Sequence, residues 1–225
     1  MSAQSGLFDR LSADAADDWR HYVEHAFVRQ MGDGTLPQAA FRHYLVQDYL
    51  FLIHFARAYA LAIYKGTNLD EMRAAYEGLK AILDVEMDLH VGLCAEWGLS
   101  PAGLETTPES RATLAYTRFV LETGMRGDLL ELYVALAPCV IGYGEIANRL
   151  AAQPAALEES NPYRIWVAEY AGEEYQKVAT AARLTLDELA SRCLTEQRFP
   201  NLLKIFRQAT RLEAEFWQMG LTLAD

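Results

Sequence analysis

The sequence predicts an all-α protein, a single-domain helical bundle, on three observations. Apolar residues recur at three-and-four spacing through most of the chain, alternating strand patterns are absent, and turn-forming residues fall between the periodic stretches. Helices are predicted near 7–30, 38–65, 69–97, 109–123, 127–152, 162–182, 185–196 and 199–222.

The punctuation supports these limits in order. Gly32-Asp33-Gly34-Thr35-Leu36-Pro37 is a tight turn that ends the first helix and starts the second. In the second, Phe41, Leu45, Leu52, Phe55 and Tyr59 follow one helical face. Ser100-Pro101 and Thr107-Pro108 bracket a loop after the third helix, and Gly124 and Gly127 flank a short connection after the fourth. Pro138 lies inside the fifth helix, where it removes a backbone donor and kinks the axis, a common way to open a pocket. Asn161-Pro162 reads as a cap with a first-turn proline. A chain of 225 residues without a Gly/Ser run, a Pro-rich stretch or a charge block reads as one domain, 1–225, with one core. The 12 Tyr, 9 Phe and 4 Trp predict aromatic-lined cavities.

Charge and motifs exclude several function classes. A net charge of -11 with scattered Lys and Arg argues against nucleic-acid backbones and anionic membrane surfaces as partners. Three cysteines, at 94, 139 and 193, indicate neither a disulfide framework nor a thiolate zinc site. Residues 1–6 lack a basic stretch followed by an apolar run, so no secretory signal is expected. The stretch from Tyr49 to Tyr64, read as the most apolar, contains His54 and Arg57 and is too short to span a bilayer. The expected location is the cytoplasm. All five histidines lie in the first 90 residues, and Asp18-x-x-His21 is the single approximation to the Glu-x-x-His pair of a di-iron bundle. His21 and His25 stand one turn apart and read as a solvated pair. Glycine-rich phosphate loops and nucleophile elbows are absent, and no metal is expected.

Three polar residues interrupt apolar faces. Asp48 falls on the core stripe of the second helix, Glu213 sits among Phe206, Ala209, Phe216 and Gly220 on the last, and Cys139 shares a face with Leu132, Leu136 and Tyr143. A buried carboxyl costs free energy unless paired, and an apolar setting raises its pKa until it can act as an acid near neutrality. Each has a plain alternative: a position near a helix end or an interhelical ion pair for Asp48, a salt bridge to an Arg on another helix for Glu213, and a small core residue for the thiol. Cys94 and Cys193 read as core. Glu215 lies off the inner face and reads as solvated. Tyr116, Tyr143 and Tyr170 also fall near apolar faces.

Together these residues resemble the thiaminase II (TenA) family. Gly32 to Pro37, then Phe41, Tyr44, Gln47-Asp48 and His54-Phe55-Ala56, are similar to that family's second-helix signature. Leu136-Ala137-Pro138-Cys139, followed by Tyr143 and Glu145, resembles its nucleophile segment, and Glu213-Ala214-Glu215-Phe216-Trp217 its C-terminal segment. The resemblance implies a fold like heme oxygenase, a homotetramer, and hydrolysis of a small-molecule aminopyrimidine or thiamine in thiamine salvage without a cofactor. It implies Cys139 as nucleophile, Glu213 as catalytic acid, Asp48 as the carboxylate holding the aminopyrimidine edge, and Tyr116, Tyr143 and Tyr170 as pocket tyrosines. Phe51 stands where many members carry a tyrosine, which keeps the stacking ring and takes away a hydroxyl. Two rival readings are a TenA-type transcriptional regulator without enzymatic role and a heme- or di-iron-binding oxidase on the same architecture.

Overall fold

A computed structural model describes residues 6–96 and 100–225, and every regular element among them is helical. The helices are α1 (Leu7–Asp14), α2 (Ala16–Val23), α3 (Ala26–Gly32), α4 (Gln38–Lys65), α5 (Leu69–Ala81), α6 (Met87–Glu96), α7 (Pro101–Glu105), α8 (Arg111–Arg126), α9 (Leu129–Ala151), α10 (Arg164–Ala171), α11 (Glu173–Cys193) and α12 (Phe199–Thr222). A π-helical turn, Ile82–Glu86, joins α5 to α6, and a 3₁₀ turn, Pro154–Leu157, follows α9. The expected end of the third helix at 97 and most of the N-terminal stretch read for a signal fall outside the described residues.

Several boundaries differ from the sequence reading. The first predicted helix is three, interrupted at Ala15 and at Glu24–His25. Its apolar period runs through both breaks, which is why it reads as one. The second break has a visible cause: the His25 ring accepts the amide of Phe27 at 3.2 Å and so begins α3 afresh. The predicted break between 182 and 185 does not exist. It sits instead at Gly172, whose backbone is extended (φ −64°, ψ 153°). The segment 101–105, expected as loop, is a short helix with Ser100 Oγ accepting the Gly103 amide at its start. Helix α10 starts at Arg164, two residues later than the Asn161-Pro162 cap implied. Asn161 does other work: its Nδ2 donates to the carbonyls of Met31 and Gly32 at 3.1 Å and of Ala155 at 3.2 Å, bracing the turn where Gly34 takes a positive φ of 75°.

The chain forms two compact units. The first comprises residues up to Leu36 together with Tyr133–Trp217, the second Pro37–Leu132 with Gln218–Asp225. In the first, α1 packs on α11 and α2, and α10 packs on α11 and the 3₁₀ turn. In the second, α4 is the central element, packed by α5, α6, α7 and α8. Buried Gln47 fastens α4 to the start of α8: its Oε1 accepts from the Ser110 amide at 2.9 Å and Thr113 Oγ1 at 2.7 Å, and its Nε2 donates to the Pro108 carbonyl at 3.0 Å. The membrane reading also changes. Helix α9, rather than the stretch at 49–64, is long and apolar enough to cross a bilayer, but 89% of its most apolar window is buried within the protein, as a core helix requires.

Candidate functional site

The residues singled out from sequence divide between the units. Cys139, Tyr143, Tyr170 and Glu213 belong to the first, and Asp48, Phe51 and Tyr116 to the second.

In the first unit, Cys139 and Tyr143 stand one turn apart on α9, and Glu213 and Trp217 one turn apart on α12, so each pair shares a helical face. The Tyr143 ring stacks on Trp217, centroids 5.2 Å apart, and meets Tyr170 edge-on at 5.3 Å. Trp166 on α10 lies 4.5 Å from Tyr170 and 5.7 Å from Tyr143, and Phe27 and Tyr22 stack on Trp217 at 5.0 and 6.3 Å. The faces carrying Cys139 and Glu213 thus meet through a continuous group of rings. Glu213 is 1% exposed and Cys139 8%, while Glu215 is exposed, as its position off the face implied. Trp166, Trp217 and Tyr22 were not picked out as site residues from the sequence. Trp217 closes the C-terminal segment itself and could have been chosen from its spacing to Glu213.

In the second unit, Asp48 is 3% exposed on α4, and two groups meet its Oδ2. Tyr44, one turn earlier, donates its hydroxyl at 3.1 Å, and His90 Nε2 lies 2.5 Å away. His90 Nδ1 is 2.8 Å from the Glu86 carbonyl, which can only accept, so Nδ1 carries a proton. Burial, the largest influence, pulls the His90 pKa down. The Asp48 charge and hydrogen bond, with the Glu86 carbonyl and carboxylate, outweigh it and leave the pKa raised. The charged form of His90 is thus favoured, and both of these contacts to Asp48 fall on Oδ2. Phe51 and Tyr116 are brought together at 4.9 Å, with Phe55 stacked on Phe51 at 5.0 Å.

His90 was missed as a partner because its helix is irregular. Ile82 and His90 are both buried, eight residues apart. In a regular helix at about 100° per residue the eighth residue lies about 80° off the face of the first. The π turn Ile82–Glu86 absorbs the surplus residue and returns His90 to the inner face of α6, and π turns of this kind gather at functional sites. One turn on, Cys94 is fully buried, and burial first, then the Asp48 charge, pushes its thiol up to about 11. His21 and His25 are not a solvated pair: His25 is 6% exposed and its Nδ1 is spent on the Phe27 amide.

The first unit thus holds a buried thiol and a buried carboxyl on helical faces joined by stacked rings, on an all-α scaffold. The chain belongs to the TENA/THI-4/PQQC family, whose model matches residues 13–223, and within it to the thiaminase II (TenA) group. It is 44% identical over 220 residues to an uncharacterised protein of Haemophilus influenzae, covering 97% of this chain and all of that one. It is 37% identical over 220 residues to an aminopyrimidine aminohydrolase of Halalkalibacterium halodurans, covering 98% of this chain and 96% of that one. Among solved structures it matches a TenA family transcription regulator from Silicibacter sp. TM1040 with TM-score 0.91 and 47% identity, covering 99% and 100% of the two chains. A domain of heme oxygenase-like fold from Shewanella denitrificans superposes with TM-score 0.75 at 15% identity over 96% and 92%, which supports the expected fold.

Proposed function

We propose that this chain is an aminopyrimidine aminohydrolase of the thiaminase II type, acting on 5-aminomethyl-4-amino-2-methylpyrimidine in thiamine salvage and on thiamine, which shares the pyrimidine half. That it is a hydrolase follows from its full-length relation to the aminopyrimidine aminohydrolases. The substrate, the cysteine chemistry and the residue roles are the proposal. The observation that carries it is the ring group in the first unit, through which the faces bearing Cys139 and Glu213 meet.

In this reading the Cys139 thiolate adds to the pyrimidine ring and forms a C–S bond, while Glu213 delivers a proton to a ring nitrogen so that the loss of aromaticity is not accompanied by a buried anion. Ammonia then leaves the exocyclic methylene, water takes its place, and expulsion of the thiolate restores the ring and gives the hydroxymethyl product. Asp48 accepts from the substrate's amino group, and Phe51, Tyr116, Tyr143 and Tyr170 stack the flat ring. We place the enzyme in the cytoplasm as one domain. The proposed assembly is a homotetramer. The exposed apolar residues Leu69, Met72, Tyr76 and Leu83, at heptad spacing along α5 and the π turn, are surface that a second copy would cover.

The deciding experiment is ammonia release from the aminomethylpyrimidine, run beside thiamine cleavage. Turnover of the first at a kcat/KM above the second supports the proposal, and no turnover of either removes it. A transcription regulator, here one acting through DNA, is the second reading, since the Silicibacter relative is described as a TenA family transcription regulator. A net charge of -11 opposes it. Sequence-dependent binding in a gel shift at physiological salt would favour it.

A further inference from the structure

We propose that Tyr22 and Tyr175 are positioning residues that clamp the turn of α9 carrying Cys139. This rests on the reading of Cys139 as the nucleophile. Tyr22 donates its hydroxyl to the Pro138 carbonyl at 3.2 Å, and Tyr175 donates to the Val140 carbonyl at 3.2 Å. These are the carbonyls immediately before and after Cys139.

A helix interior does not need such bonds. Each carbonyl there already faces the amide four residues on, and a phenol takes its second lone pair. The bonds fall where the helix is weakest. Pro138 has no N–H, so the Val134 carbonyl lacks its helical donor and the segment is loosened. Residues 138 and 140 are two apart, about 200° around the helix axis, so the phenols hold the turn from nearly opposite sides. One donor would restrain a point on the helix, whereas two on opposite sides fix its rotation and hence the direction of the Cys139 Cα–Cβ bond.

Two glycines make the approach possible. A Cβ at Gly142 would lie 2.5 Å from Tyr22 Cε1 and 2.7 Å from its hydroxyl oxygen, so any side chain there evicts the phenol. A Cβ at Gly144 would lie 3.2 Å from both Ala179 Cβ and Gln176 Nε2, and that Nε2 donates to the Gly144 carbonyl at 3.1 Å, which holds α11 and its Tyr175 against α9. The rings are anchored separately: Tyr22 on Trp217, and Tyr175 edge-on to Tyr170 at 4.6 Å. Phenylalanine at either position therefore keeps the ring packing and removes the hydroxyl donor.

The test uses Tyr22→Phe, Tyr175→Phe, the double variant and Gly142→Ala, with two readouts on the whole protein. The first is kcat and KM for ammonia release from the aminomethylpyrimidine. The second is iodoacetamide labelling of Cys139 relative to Cys193, a partly exposed reference thiol, read by peptide mass spectrometry. Displacing a reacting atom by an ångström costs on the order of 100-fold. The double variant should lose about that much kcat with KM within about twofold, each single variant about tenfold, and Cys139 labelling should rise several-fold as the loosened turn exposes it. A folded double variant with kcat within twofold of the parent would overturn the clamp. If the parent turns over no aminopyrimidine, the proposed activity fails on its own, and an unchanged labelling ratio in the double variant then overturns the clamp independently.

Discussion

The two units surround their buried polar residues differently. In the first, the described surroundings of the Cys139 and Glu213 faces are rings: Tyr143, Tyr170, Trp166 and Trp217. In the second, Asp48 is bound to a fully buried histidine, His90 Nε2 at 2.5 Å, whose charged form is favoured. A carboxylate hydrogen-bonded to a buried imidazole is held in one orientation, which suits the proposed reading of a substrate's amino group. Glu213 lies on a face lined by aromatic rings, and its proposed part is to give up a proton. The comparison therefore separates a group proposed to hold the substrate from one proposed to transfer a proton.

Replacing Cys139 is the strongest way to break this division. Cys139→Ser should lower kcat on the order of 10⁴-fold while the pyrimidine still binds, because a hydroxyl is almost never ionised near neutral pH. Steady-state ammonia release with product-inhibition binding checks it, and full activity would leave only a pyrimidine pocket. Glu213→Gln fills the same space without a proton to give and should cost about 10³-fold, with the double variant little worse than Cys139→Ser alone, as groups acting in one step are non-additive. Additive losses in that cycle would assign the two residues to separate steps.

Asp48→Asn sharpens the other half. It should lower kcat/KM on the order of 100-fold and also destabilise the fold, since it leaves His90 without its counter-ion, a loss of about 3 kcal/mol at the low end for a broken buried pair. An unchanged kcat/KM with a lowered melting temperature would make the pair purely structural.

A smaller effect is a pH signature of the same pair. Unfolded histidine titrates near 6.5, and the folded His90 value is raised above it. Between the two, the folded protein holds a proton that the unfolded chain has lost. The stability contributed is full below about pH 6.5 and fades as pH rises through the folded value. The stability difference between the parent and His90→Phe should thus shrink with rising pH. A constant difference in urea titrations from pH 6 to 9 would show His90 to be neutral in the fold. The smallest effect belongs to Cys94→Ser, expected to leave kcat within a few-fold. With its thiol up at about 11, Cys94 should also resist iodoacetamide at neutral pH, and rapid labelling there would contradict its burial.

Much of this was legible in the sequence, and the failures are local. The helix type, the turn at Gly32–Pro37, and Asp48 and Glu213 as buried carboxyls on apolar faces all follow from a 3.6-residue period. The alternatives left open for Asp48 were a site, a position near a helix end and an interhelical ion pair; the structure places it inside α4 and supplies the pair without removing the site. Breaks that keep the period cannot be seen by it, which hid Ala15 and Glu24–His25. Gly172 was a stronger stop than the spacing at 182–185, because glycine tolerates a helix poorly whatever its neighbours. Hydrogen bonds that depend on the path of the chain, such as Tyr22 to Pro138 or His90 to Asp48, have no local signature.

The π turn also sets where this chain can change length. Ile82–Glu86 holds one residue more than a regular helix needs, so a deletion there would yield a seamless helix with His90 still about 20° from the Ile82 face. A second deletion between Ile82 and His90 would swing the imidazole about 100° further, away from Asp48. Loss of one residue in this stretch should be tolerated and loss of two should not, which single and double deletion variants, compared for the pH-dependent part of their stability, would show.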